Sequence, residues 1–292
     1  MLLFCSHSSW LGRRLSNWLP VALAVAMVTG VTQDASAQRN KKKSREAQAT
    51  QEVAPRIVAD VAVDPAHPLA PAIKLAEGSR AAIKEVQDYT CVFSKREMLG
   101  KKMKSQVMLM KFKQEPFSVY MLYDGQEKGR EILFVEGQNE NKLLVHESGV
   151  AALVGTLSLP LNSPQVTAEN KYPVTQIGML NLVDTILNQW RAEAQFGEVD
   201  VKPFPAAKVD NRECEAMVST HPTPRKDFKF HRTVLYVDKE TKFPVRVEQY
   251  GFPRQQGEQP TLVEQYTYSQ IRINTGLTAA DFDARNRSYN FK

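Results

Sequence analysis

From Tyr89 onward apolar residues recur at every second position, in short runs separated by turn residues, and this period commits most of the chain to half-buried β-strands. In the run 102–113, Met108, Met110 and Phe112 point one way while the opposite face ends in Lys111 and Lys113. The next run puts Phe117, Val119, Met121 and Tyr123 on one face. Farther on, Phe243, Val245 and Val247 alternate with Arg246 and Glu248, the pattern of a sheet with one solvated face. The same reading predicts strands at 89–98, 102–113, 117–123, 130–136, 142–146, 208–220, 229–238, 243–250 and 262–273. Turns are expected at Leu99-Gly100-Lys101, Gln114-Glu115-Pro116 and Gly137-Gln138-Asn139.

Two segments keep a helical period instead. Pro71 can open a helix over 71–87, where Ile73, Ala76, Ile83 and Val86 share a face that Gly78 weakens. A stronger helix is predicted over 174–196, with Leu180, Val183, Leu187, Trp190 and Ala194 at spacings of three and four, Pro173 at its start and Gly197 past its end. Met179, Leu182 and Ile186 widen its apolar stripe, which implies packing over a sheet face or clamping on something apolar. Between Gly149 and Pro173 neither period holds. Val150, Ala151, Ala152, Leu153, Val154, Leu157, Leu159 and Leu161 are broken by Gly155, Pro160 and Pro164, which reads either as a lid over a hydrophobic cleft or as a satellite core.

The N-terminus speaks of export. Arg13 and Arg14 precede an uncharged apolar run from Trp18 to Val31, too short to span a bilayer comfortably, and Ala35-Ser36-Ala37 gives a small-x-small cleavage pattern. Residues 1–37 are therefore predicted to be a signal peptide, and 38–63 a disordered basic linker carrying Arg39, Lys41, Lys42, Lys43 and Arg45. That linker offers transient contact with a membrane or simply solvates. The formal charge of +6 divides into +1 over 1–37, +3 over 38–60 and +2 over 61–292, so the folded part is nearly balanced and nucleic acid is not an expected partner. Residues 64–292 are expected to form one β-rich domain, soluble and periplasmic or otherwise extracytoplasmic after cleavage near Ala37.

The chain has no GxSxG elbow, GxGxxG or P-loop, no HExxH and no CxxC pair. His67, His146, His221 and His231 lack metal-ligand spacing, so no metal, cofactor or catalytic residue is expected. Asp281 and Asp283 read as polar positions around Phe282. Cys91 and Cys214 remain after signal removal, and an even pair in an oxidising compartment reads first as a disulfide, the other reading being two buried thiols.

Several blocks, taken together, resemble a known exported family. They are Asp88-Tyr89-Thr90-Cys91 with Lys95-Arg96-Glu97, Pro116 to Met121, Gly129-Arg130-Glu131 with Val135-Glu136-Gly137, Glu264 to Tyr268, Asn274 to Leu277, and the closing Asp281-Phe282-Asp283 with Tyr289-Asn290-Phe291. Over about residues 70–292 these are similar to domain of unknown function 1571, which brings no known activity. That family more distantly resembles the LolA/LolB lipoprotein carriers and RseB-type sensors. The resemblance implies an α+β fold in which a curved antiparallel sheet forms an unclosed half-barrel, with helices covering a concave apolar face that holds acyl chains. No cargo-contact residue can be matched position by position, and one fold serves many functions.

The expected function is thus non-enzymatic binding of an acyl or other hydrophobic cargo in the cell envelope. The expected lining is Met108, Met110, Phe112, Val119 and Met121 from the sheet, Leu153, Leu157 and Leu159 from the apolar segment, and Leu180, Val183, Leu187 and Trp190 from the long helix. The alternatives are a sensor or scaffold with a filled core that binds another envelope protein, and third an unrecognised hydrolase. N-terminal sequencing of the exported protein should read Gln38 first; an intact Met1 chain in washed membranes would mean an anchor instead.

Overall fold

The computed structural model describes residues 63–255 and 257–291. The predicted signal peptide and almost all of the basic linker lie outside the described residues. Eleven strands form one unclosed sheet in the order β6-β5-β4-β3-β2-β1-β11-β10-β9-β8-β7. They are β1 (Asp88–Leu99), β2 (Lys102–Lys113), β3 (Ser118–Asp124), β4 (Glu131–Val135), β5 (Leu143–His146), β6 (Thr156–Leu159), β7 (Asp200–Val209), β8 (Arg212–Thr220), β9 (Arg232–Asp238), β10 (Pro244–Tyr250) and β11 (Leu262–Ile273). Every pairing is antiparallel, and the two meanders join where β11 returns beside β1.

Two strands escape the alternation rule. β7 carries Pro203 and Pro205, which cannot donate to a ladder and fit only an edge, and an edge is where β7 lies. β6 forms from the apolar segment: Gly149–Val154 makes a 3-10 turn, then Thr156–Leu159 pairs with β5 as the opposite edge.

Among the described residues three α-helices accompany the sheet: α1 (Ala70–Lys84), α2 (Pro164–Thr167) and α3 (Met179–Glu193). α1 and α3 pack against each other and are tied by Arg80 to Asp184 (2.6 Å) and Arg191 to Glu77 (2.8 Å). The core between helices and sheet contains Leu69, Ile83, Phe93, Met108, Met110, Met179, Val183, Leu187 and Trp190, all nearly sealed from water. Each such side chain contributes roughly 1.5–3 kcal/mol by leaving water. Trp190 donates its indole N–H to Ser219 (2.9 Å), which satisfies its one polar atom in that setting.

The convex face has its own cover. Phe282, Tyr289 and Phe291 of the C-terminal segment pack on Tyr120, Leu133 and Val135, with the Tyr120 and Tyr289 rings stacked at 3.9 Å. Asp281 caps the Thr278 turn and pairs with Lys111 (2.9 Å), and Asp283 pairs with Arg285, so the two aspartates do bracket a buried Phe282.

The long helix begins later than its periodicity suggests. Val174–Gln176 forms a separate 3-10 turn, and α3 starts only after Gly178, whose φ of +114° belongs to glycine. No side chain caps that helix start locally. Its free N–H groups go to the sheet instead: Gly178 donates to the Tyr268 hydroxyl and Met179 to the Tyr89 hydroxyl, each at 3.1 Å. Burial raises the pKa of both phenols, so both remain hydroxyls.

The expected Cys91–Cys214 disulfide is corrected: both thiols are free and buried. Cys91 lies on β1 and Cys214 on β8, with β11, β10 and β9 between them. At about 4.8 Å per strand the gap along the sheet is roughly 19 Å, against the ~7 Å that a bridge between Cα atoms tolerates. Burial raises the pKa of Cys91, which leaves an inert thiol in the core.

A Cβ at residue 178 would stand 2.8 Å from the Phe112 ring, in a backbone conformation closed to L side chains. Gly178→Ala should therefore cost about 3 kcal/mol, combining backbone strain with the clash, read as a lowered urea midpoint with an unchanged m-value. An unshifted midpoint would mean that this contact is not maintained.

Candidate functional site: an amphipathic cavity between sheet and helices

The strand register arranges the concave face in rows. Lowest is Phe134, Val119, Phe112 and Tyr89, and above it run Leu157, Val145, Ile132, Met121, Met110 and Cys91. Next come Tyr123, Met108, Phe93 and Tyr268. Then the chemistry changes: the fourth row is Gln106, Lys95, Tyr266 and Val247, and the fifth is Lys104, Glu97, Glu264 and Gln249. The lowest row is closed off where Gly178 sits on Phe112. Above that contact a partly open cavity, with about 110 Å³ of room for water-sized molecules, lies between the sheet and its cover.

The wall comes from Phe93, Met108, Met121, Ile132, Leu143, Val145 and Leu159 of the sheet, and from Leu182, Thr185 and Ile186 of α3. Gln165 and Val166 of α2, with Asn170, Tyr172, Pro173, Val174, Gln176 and Ile177, complete the cover. Mostly apolar walls with a few polar groups converging at one side are typical of small-molecule sites.

The polar side is an ordered network. Glu97 and Glu264 are directly opposed across β1 and β11, both side chains almost fully buried. Two like charges so placed repel, and the segment 169–172 supplies the compensation. Lys171 bonds Glu264 through its ammonium (2.7 Å) and Glu97 through its backbone N–H (3.2 Å). Tyr172 donates to Glu264 (2.9 Å) and Tyr266 to Glu97 (2.6 Å). Glu169 pairs with Arg130 (2.6 Å), and Asn170 accepts from Lys95, whose ammonium is also 3.5 Å from Glu97. Four consecutive residues thus pin the cover to β1, to β11, to Arg130 just before β4 and to Lys229 (2.6 Å from the Tyr172 hydroxyl). Burial lowers the Lys95 pKa, with Glu97 opposing that shift, and burial together with Glu264 and Glu97 raises that of Tyr266.

Of the residues expected from sequence to line a cleft, the structure brings Met108, Met121 and Leu159 to the cavity wall. Met110, Phe112, Val119, Val183, Leu187 and Trp190 lie in the sealed core beside it. Leu180 packs partly buried against that core, and Leu157 is half-buried on β6, off the wall. Leu153 is 88 % exposed on the turn before β6, with Val150 and Val154 beside it, so that turn covers nothing. The polar network was missed, although it left a signal. On β1 the inward series Tyr89, Cys91, Phe93 continues to Lys95 and Glu97, and on β11 Tyr268 and Tyr266 lead to Glu264, which puts charge on a buried face. Among the described residues no group of three His, Cys, Asp or Glu side chains is placed to hold a metal ion.

Among curated proteins none matches this sequence significantly. Solved structures to which the chain is similar include the lipoprotein LppX of Mycobacterium tuberculosis, at 13 % identity over 73 % of this chain and 99 % of that one, with a TM-score of 0.42. An outer membrane lipoprotein-sorting protein domain from Vibrio parahaemolyticus is similar at 12 % identity over 72 % of this chain and 95 % of that one, with a TM-score of 0.33. A chain of the Pseudomonas aeruginosa MucA/MucB complex is similar at 11 % identity over 73 % of this chain and 61 % of that one, with a TM-score of 0.39. The profile of the family described as "Protein of unknown function (DUF1571)" matches residues 86–291, and the chain belongs to that family.

Proposed function

We propose that this protein is a non-enzymatic carrier, working outside the cytoplasm, that holds an acyl or similarly hydrophobic cargo between its sheet and its helical cover. The observation that carries the reading is the cavity itself. Met108, Met121, Ile132 and Val145 belong to the buried core and also form the apolar wall of that cavity, opposite Leu182 and Ile186 of α3. An occupant with an apolar body would gain dispersion contacts with this wall, which favours a hydrophobic cargo. The polar rows at one side suit a cargo with an apolar body and a polar end. No helix of the described residues is long and apolar enough to cross a membrane.

A second reading rests on a different observation. Val150, Leu153 and Val154 stand exposed on the turn that leads into the edge strand β6, and an exposed apolar cluster beside an edge strand suits a partner protein. The two readings part on what the interior does.

Uptake of a fluorescent fatty acyl probe and thermal melting, measured on the delipidated protein and on Val145→Phe, separate them. In a carrier the larger ring fills open space, so probe affinity should fall by about ten-fold or more, equivalent to at least ~1.4 kcal/mol, while the melting temperature holds or rises. In a filled core the same change overpacks the interior and lowers stability by about 1–3 kcal/mol. Absence of probe binding by the wild type would remove the carrier reading.

A further inference from the structure

Lys95 occupies the boundary of the concave face. Below it in register stand Met108 and Phe93; above it stand Glu97 and Glu264. Its side chain is only 10 % exposed, on the wall of the cavity. An ammonium has three protons to donate, and burial without partners is costly. Yet the nearest carboxylate, Glu97, stands off at 3.5 Å and already accepts from the Tyr266 hydroxyl (2.6 Å) and the Lys171 N–H (3.2 Å). The close partner of Lys95 is a neutral carbonyl, the amide oxygen of Asn170. Asn170 belongs to the cover segment, outside any helix or strand, and also lines the cavity.

Resting on the carrier reading, we infer that Lys95 is the seat for the carbonyl oxygen of an ester- or amide-linked acyl chain, and that the Asn170 side chain holds this seat until cargo displaces it. The chain of such a ligand then runs down the apolar rows, away from the polar network. The charge pattern selects a neutral acceptor. Glu97 and Glu264 lie side by side in the next row and already draw on both nearby ammonium groups, Lys171 at 2.7 Å from Glu264 and Lys95 at 3.5 Å from Glu97, so an anion on Lys95 would compete with Glu97 and add a negative charge that these two cations do not balance. A carbonyl meets no such repulsion and reproduces the bond that Asn170 makes. The class of cargo is therefore an acylated amphiphile whose first polar atom is a carbonyl, rather than a free fatty acid or a hydrocarbon.

A matched set of competitors tests this by displacement of a fluorescent acyl probe: methyl laurate, lauryl methyl ether, which lacks the carbonyl, and sodium laurate. The wild type should bind the ester about ten-fold more tightly than the ether, the increment of one hydrogen bond to a buried charge, and more tightly than laurate. In Lys95→Met the ester-to-ether ratio should fall to about one. In Asn170→Ala, which removes the placeholder but keeps the lysine, ester affinity should rise, so the inference stays testable even if Lys95→Met melts early. Equal binding of ester and ether by the wild type, or a preference that survives in Lys95→Met, overturns the carbonyl seat while leaving the carrier standing. Laurate binding more tightly than the ester overturns it in favour of an anion site. If none of the three displaces the probe and the probe itself does not bind, the carrier reading falls and this inference falls with it.

Discussion

Everything above the sheet depends on how α3 starts. A helix that opens without a local cap exposes N–H donors, and here two of them are met by tyrosine hydroxyls rising from the concave face, Tyr268 and Tyr89. The approach is possible only because residue 178 has no side chain, since Phe112 lies where a Cβ would be. One contact therefore fixes the height of the helix over the sheet and seals the lowest row of side chains. From that point α3 continues over the core with Met179, Val183, Leu187 and Trp190, while Leu182, Thr185 and Ile186 face the cavity. The same helix both closes the interior and roofs the open space.

The polar side of the cavity follows a different logic. Glu97 and Glu264 share a buried cross-strand position, an arrangement that is unstable unless cations and hydroxyls reach it. Lys171, Tyr172 and Tyr266 do so, and Lys95 stands beside them. Breaking such a network leaves charge uncompensated in a poor dielectric, so it holds the 169–172 segment in one place more firmly than apolar contact would. These are also the bonds that would have to rearrange for the mouth to widen. A cover pinned by polar groups and a floor packed by apolar ones give the cavity a direction.

The two edges of the sheet are finished unequally. β7 carries Pro203, Pro205, Lys202 and Lys208, which obstruct strand addition. β6 has no such guard: no charged residue stands between Glu147 and Glu169, and the turn before it exposes Val150, Leu153 and Val154. An unguarded, uncharged edge is an aggregation liability, and it contrasts with the guarded one opposite.

Sequence by itself determined the parts governed by local period. The alternation in 102–113, 117–123, 243–250 and 262–273 set both the strands and the face each side chain takes, because a side chain's face in a strand follows from parity alone. The family blocks likewise reported the ordered core of the chain. What local period cannot reach is which strands become neighbours. The expected disulfide failed there: Cys91 and Cys214 each sit on a correctly read strand, but the order β1-β11-β10-β9-β8 holds them apart. β6 and β7 were hidden for a related reason, since four residues are too few to show a period and prolines obscure one until the strand is known to be an edge. The cavity lies beyond sequence altogether. Methionines at 108, 110 and 121 look alike in the chain and all three are buried in one core, and only the tertiary fold decided that 108 and 121 also line the cavity while 110 does not. Burial on a face is written locally; what that face is buried against depends on distances that the whole fold sets.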